Sequence, residues 1–167
     1  SNSDLFFSSI FARFSASFNY LKAVIEDNKP QNTDGGTFTS GADRTRDLNT
    51  EIYDPDGIVS IVANQFKIIP GKWIISWSAP ALEVSRHQSF LYDITNAVEV
   101  KRGTSDLSNS AAGTVSRSPG IAFVNIPIIT TYEIRHRCQT SLATIGFGAA
   151  DNFGTEVYTR VEIYSVK

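Results

Sequence analysis

A chain of 167 residues with 41% hydrophobic and 19% charged residues suits one folded domain with a true core and is short for two. The formal net charge of -2 argues against a nucleic-acid surface, which needs a basic face to meet phosphates. No apolar run is long enough to span a bilayer, so no membrane insertion is expected, and the single cysteine, Cys138, excludes an intrachain disulfide.

The start of the chain lacks the basic head and continuous apolar block of a signal peptide, and no Asn-X-Ser/Thr acceptor occurs. With no methionine and a Ser-Asn-Ser beginning, the expectation is a complete protein whose initiator was removed, assembled in a reducing cytoplasm.

Five of the eleven phenylalanines fall in the first twenty residues: Phe6, Phe7, Phe11, Phe14 and Phe18. Phe7, Phe11, Phe14, Phe18, Leu21 and Ile25 recur at spacings of four and three, the stripe of an amphipathic helix, with Ser3 as a cap. Each buried Phe contributes about 1.5–3 kcal/mol, so residues 1–19 are read as a hydrophobic arm, helical or extended, that docks on a partner. Tyr20–Glu26 also alternates as a strand, with Leu21, Ala23 and Ile25 on one face, and the jelly-roll domain is placed at 20–167.

Asp27 to Gly36 breaks regular structure, and everything after it reads as β. Asp54-Pro-Asp-Gly57 is a turn ahead of strands at Ile58–Val62 and Phe66–Ile69. Pro70-Gly71 leads into Trp73–Trp77, where Trp73, Ile75 and Trp77 share a face, and Thr95-Asn96 joins a hairpin. Thr104 to Ser118, rich in Ser, Gly and Ala, reads as a loop. Strands at Ile121–Ile126, Thr131–Arg137 and Glu156–Tyr164 follow, with a turn at Asp151–Gly154. Roughly eight to ten short strands and no later helix predict an all-β antiparallel sandwich or barrel.

Several separated stretches carry a resemblance. Gly35-Gly-Thr-Phe-Thr-Ser-Gly41, Arg44-Thr-Arg-Asp-Leu-Asn49, Tyr53–Ile58, His87–Asp93, Tyr132–Cys138 and Phe153–Tyr158 resemble a jelly-roll module of bacteriophage tail-fibre proteins. The wider class is the complement-type globular head and the tumour-necrosis-factor jelly roll, which the Pro70–Trp77 segment also resembles. The resemblance implies a jelly roll of about ten strands, a homotrimer and a place on the virion surface, of tail-fibre or receptor-binding type. The alternative role is a capsid decoration protein held to the shell by the Phe-rich arm. Other virion proteins, and a bacterial surface polysaccharide or protein, are the expected partners. The large residues on strands, Trp73, Trp77, Phe90, Tyr132, Tyr158 and Tyr164, exceed what one small core needs, which also points to a trimer.

No catalytic residue and no metal ligand is assigned, and no cofactor is expected. His87 and His136 have no ligand spacing with Cys138 or a carboxylate, and His136 and Cys138 share a strand face as buried groups. Asp54 and Asp56 are read as turn residues ahead of a calcium site. Arg44, Arg46, Asp47, Arg135, Arg137 and Glu156 are expected to form a structural polar network, the competing role being contact with sugar hydroxyls. The receptor-facing candidates are Glu83 and Arg86 in the Ala81–Arg86 connection and Ser105, Asp106, Asn109 and Ser118 in the Ser-rich segment.

Overall fold

In the computed structural model, the described residues are 19–111 and 113–166; Phe6, Phe7, Phe11, Phe14 and Phe18 of the expected arm lie outside them. Eleven strands follow in chain order: β1 (Tyr20–Lys29), β2 (Arg44–Thr45), β3 (Thr50–Tyr53), β4 (Val59–Val62), β5 (Gln65–Ile68), β6 (Gly71–Leu82), β7 (Ser85–Asp93), β8 (Val98–Ser108), β9 (Val115–Ile126), β10 (Thr130–Cys138) and β11 (Glu156–Ser165). One sheet runs β3-β1-β11-β6-β9 and the other β4-β5-β10-β7-β8, with β2 pairing β10. Every pairing is antiparallel, and the two sheets form a jelly-roll sandwich.

Alternation decides what faces inward. Ala23, Ile25, Trp73, Ile75, Trp77, Ala122, Val124, Val161 and Ile163 come from the first sheet, and meet Phe66, Ile68, Leu91, Tyr132 and Ile134 from the second. Trp73, Trp77, Phe90, Tyr132 and Tyr158 are all buried within this one chain, so the argument that aromatic surplus demands a trimer fails for them. Tyr20–Glu26 is strand, as its alternation indicates.

The largest difference from the sequence reading lies at 104–118, which is mostly strand: β8 continues to Ser108 and β9 begins at Val115. Its small residues are there for close approach. A Cβ on Gly103 would stand 2.7 Å from Pro119 O and 2.8 Å from Ser89 Oγ, and one on Gly120 would stand 2.0 Å from the Trp77 ring. Across this seam Trp77 Nε1 donates to Ser89 Oγ (2.8 Å), Ser89 Oγ donates to Ser118 O (2.8 Å) and Ser118 Oγ donates to Thr104 O (2.6 Å). Ser118 is therefore fully buried and joins the sheets; its assignment as receptor-facing is corrected.

At one end the sandwich closes around Arg46, which has no exposed surface. Its guanidinium donates to Thr159 Oγ1 (2.9 Å), Pro80 O (3.0 Å) and Phe147 O (3.1 Å), and lies 3.8 Å from the Phe147 ring centroid. Burial pushes its pKa down to about 9, opposed by Asp27 and Asp47, so it stays cationic at neutral pH. Pro80 sits inside β6 without cost to the ladder: Leu82 N, on the same side of the strand, donates to Gly146 O and not to β9, and β11 pairs β6 only as far as Ser78.

Arg46→Met leaves three buried acceptors unpaired and is expected to lower unfolding free energy by about 3–5 kcal/mol in urea denaturation, with Arg46→Lys failing to restore it. Gly120→Val is expected to displace the Trp77 indole, seen as loss of native Trp fluorescence and a lowered Tm.

Candidate functional site

The outer face of the six-stranded sheet carries a cavity of about 680 Å³ lined by β7, β8 and the end of β10. Register builds it: Arg86 pairs with Leu107, Gln88 with both Ser105 and Arg137, and the Gln139 amide donates to Arg86 O. Alternation turns Arg86 and Gln88 outward while His87 and Ser89 turn in. Three of the receptor-facing candidates, Arg86, Ser105 and Asp106, line this one cavity. Glu83 and Asn109 lie at the neighbouring β6–β7 and β8–β9 connections. There the Glu83 carboxylate accepts from the Gly113 amide and Asn109 Oδ1 accepts from the Ala111 amide, so both side chains also hold their loop.

The cavity's guanidiniums are held differently. Arg102 donates to Glu99 (2.7 Å) and weakly to Gln88 Oε1 (3.4 Å), with its guanidinium 5.4 Å from the Phe90 ring centroid. Arg137 reaches Asp43 through Nε (2.7 Å) and remains exposed. Arg102 and Gln88 were not singled out from sequence; once β7 and β8 are taken as a hairpin, alternation outward from Arg86 indicates Gln88.

The remaining charged candidates sit in separate places. Arg44 donates to Thr39 O, and Arg135 pairs with Glu133 and stacks 3.4 Å from the Tyr92 ring centroid. Asp47 is shared by Lys29 and Asn64, and Glu156 accepts the amides of Asn32, Asp151 and Asn152. The Asp151 amide is the main cause holding the Glu156 carboxyl below its usual range. These residues fasten loops at several sites; they do not form one connected network. Asp54 likewise accepts the amides of Ile58 and Val59, and Asp56 pairs with Lys22.

Beneath the cavity lies a chain of hydrogen bonds that sequence spacing does not reveal. His87 Nε2 meets Ser116 Oγ at 2.7 Å, and His87 Nδ1 meets His136 Nε2 at 2.9 Å. Hydroxyl, imidazole and a second imidazole in line is the order of a nucleophile, base and orienting group. Ser116, however, faces inward on β9 and is not among the residues that line the cavity. Burial lowers the pKa of both imidazoles, His136 well below its usual value with Arg46 as a further cause, and it raises the Cys138 thiol to about 11. His136 Nδ1 is buried without a hydrogen-bond partner. Among the described residues no group of three His, Cys, Asp or Glu side chains is arranged to hold a metal ion.

No protein-family model and no curated protein matches the chain. Among solved structures it is similar to the globular domain of zebrafish complement 1qA protein, with TM-score 0.51 and 11% identity over 87% of this chain and 98% of that one. It is also similar to murine APRIL at pH 8.0, with TM-score 0.55 and 3% identity over 87% and 98% of the two chains. Murine APRIL at pH 8.5 gives TM-score 0.54 and 4% identity over 86% and 98%. At such identities the likeness is one of fold, the jelly roll of the complement-head and tumour-necrosis-factor-like class.

The imidazole pair makes stability depend on pH. Both histidines titrate lower when folded than the roughly 6.5 of an unfolded chain, so the unfolded state takes up more protons as pH falls. Stability is expected to be full above about pH 7 and to fall toward pH 5, by up to about 1.4 kcal/mol per pH unit for each imidazole. Urea denaturation across that range checks it, with His136→Gln giving a shallower slope than the native chain.

Proposed function

We propose that this chain is a non-enzymatic, homotrimeric surface module of a bacteriophage virion, of the tail-fibre or receptor-binding type. The observation that carries the reading is an apolar row across the outer face of the five-stranded sheet. Leu21 pairs with Tyr164, Tyr164 with Ile74 and Ile74 with Phe123, all on the outward side of their strands. Ile121 lies two residues along β9, and Ile121, Phe123 and Leu21 are 60%, 59% and 40% exposed. β9 is also the edge of its sheet. An exposed apolar edge of this kind invites pairing and is normally covered.

Copies of the same chain are the simplest cover, and closed symmetry buries the same patch in each. The resemblance to the complement-head and tumour-necrosis-factor class supports a threefold arrangement, and the separated motifs that resemble phage tail-fibre modules support a virion setting. The non-enzymatic part rests on the Cys138 thiol, which burial raises to about 11, and on Ser116 facing inward, half-buried, on β9. The alternative, capsid decoration, uses the same trimer and differs in copy number on the particle.

Light scattering at micromolar concentration is expected to give about 55 kDa, three times the chain mass of 18.3 kDa. The double substitution Ile121→Ser, Phe123→Arg is expected to give monomers with retained β circular dichroism. A native chain that stays at monomer mass overturns the trimer. Purified trimers are expected to adhere to host cells, and hundreds of copies per particle without adhesion would favour decoration.

A further inference from the structure

The cavity between β7, β8 and β10 lies on the sheet opposite the apolar row, so self-association through that row leaves it open. We infer that it binds an acidic saccharide, a sugar unit bearing a carboxylate, with Arg86 as the group that recognises the charge. This rests on the surface-module reading and names the chemistry of its ligand.

Three features carry it. The volume of about 680 Å³ lies within the range of small-ligand sites. Gln88, Arg102 and Gln139 bring planar polar groups to the lining, which present paired donors and acceptors to neighbouring hydroxyls. Leu107, 59% exposed, offers an apolar surface for the carbon face of a ring.

Charge then selects among saccharides. Arg137 and Arg102 already have carboxylate partners in Asp43 and Glu99, whereas Arg86 is exposed and has no ion pair among the described residues. A guanidinium fork accepts one carboxylate through two parallel hydrogen bonds. Asp43 and Glu99, the carboxylate partners of Arg137 and Arg102 beside the cavity, repel a dense polyanion such as nucleic acid or polyphosphate. One free cation among hydroxyl-binding groups matches a ligand with one charge per sugar. Weak single sites gain strength when several copies engage one polymer.

The test uses a galacturonate trisaccharide and its methyl-esterified, uncharged counterpart in NMR titrations of the full chain, with light scattering on the same samples. The acid form is expected to shift the amides of Arg86 to Gln88 and Ser105 to Leu107, and the ester to bind about tenfold more weakly or worse. Arg86→Gln is expected to lose about tenfold for the acid and nothing for the ester, with its other resonances unmoved. Equal binding of acid and ester, an unaffected Arg86→Gln variant, or tighter binding of inorganic phosphate overturns the assignment. If the protein is trimeric and neither sugar shifts the cavity, the ligand class fails while the surface-module reading stands. If it is monomeric and the acid still binds, the reverse holds.

Discussion

A single guanidinium holds the end of this sandwich together. Arg46 enters from the segment between β2 and β3 and donates to β11 through Thr159, to β6 through Pro80 and to the β10–β11 connection through Phe147. A buried charge is tolerable only when its donors are satisfied, and here each satisfied donor fixes a different segment. Around it, Phe38, Ala81, Val84, Cys138 and Phe147 form a second small core beneath the irregular chain of residues 30–43 and 139–155. Lys29, bridging Asp27 and Asp47, balances the charge nearby. Segments with few ladder hydrogen bonds thus have a defined place, which strand pairing alone would not give them.

The second constraint is the closeness of the two sheets where β8 and β9 run side by side. Ser89, Gly103, Ser118 and Gly120 leave room for one backbone to meet the other and for the Trp77 indole to cross between them. The same contacts hold β7 and β8 rigidly from within. Their outward residues, Arg86, Gln88 and Arg102, are therefore displayed from a fixed platform, which lowers the ordering cost of binding. The imidazole pair lies under that platform and has opposite needs: its burial is stable only while both rings are neutral.

The two faces differ in kind. The five-stranded sheet turns Leu21, Phe123 and Ile121 outward, and the six-stranded sheet turns out arginines, Arg102 lying over the buried Phe90 and Arg135 over Tyr92. One face suits permanent cover and the other suits reversible polar contact, so a single thin domain has room for assembly and recognition on opposite sides.

Much of the architecture was legible residue by residue. The face shared by Trp73, Ile75 and Trp77, the strand character of Tyr20–Glu26 and the turn at Asp54–Gly57 follow from local alternation and turn chemistry, and all are observed. Arg86, Ser105 and Asp106 were also named, as loop residues; their meeting in one cavity depends on the β7–β8 register. What stayed hidden was non-local. Composition made 104–118 look like a loop because small polar residues suit turns, yet here they suit strands that touch across a sandwich, and so Ser118 is interior. His136 was read as buried, but the burial of Arg46 and the pairing of His87 with His136, 49 residues apart, were not legible, since partners that compensate burial come from distant segments. The sequence by itself determined which residues alternate and where the chain turns, because those are properties of neighbours. Only the tertiary structure decided which polar groups are inside, because burial is set by what the rest of the chain brings against them.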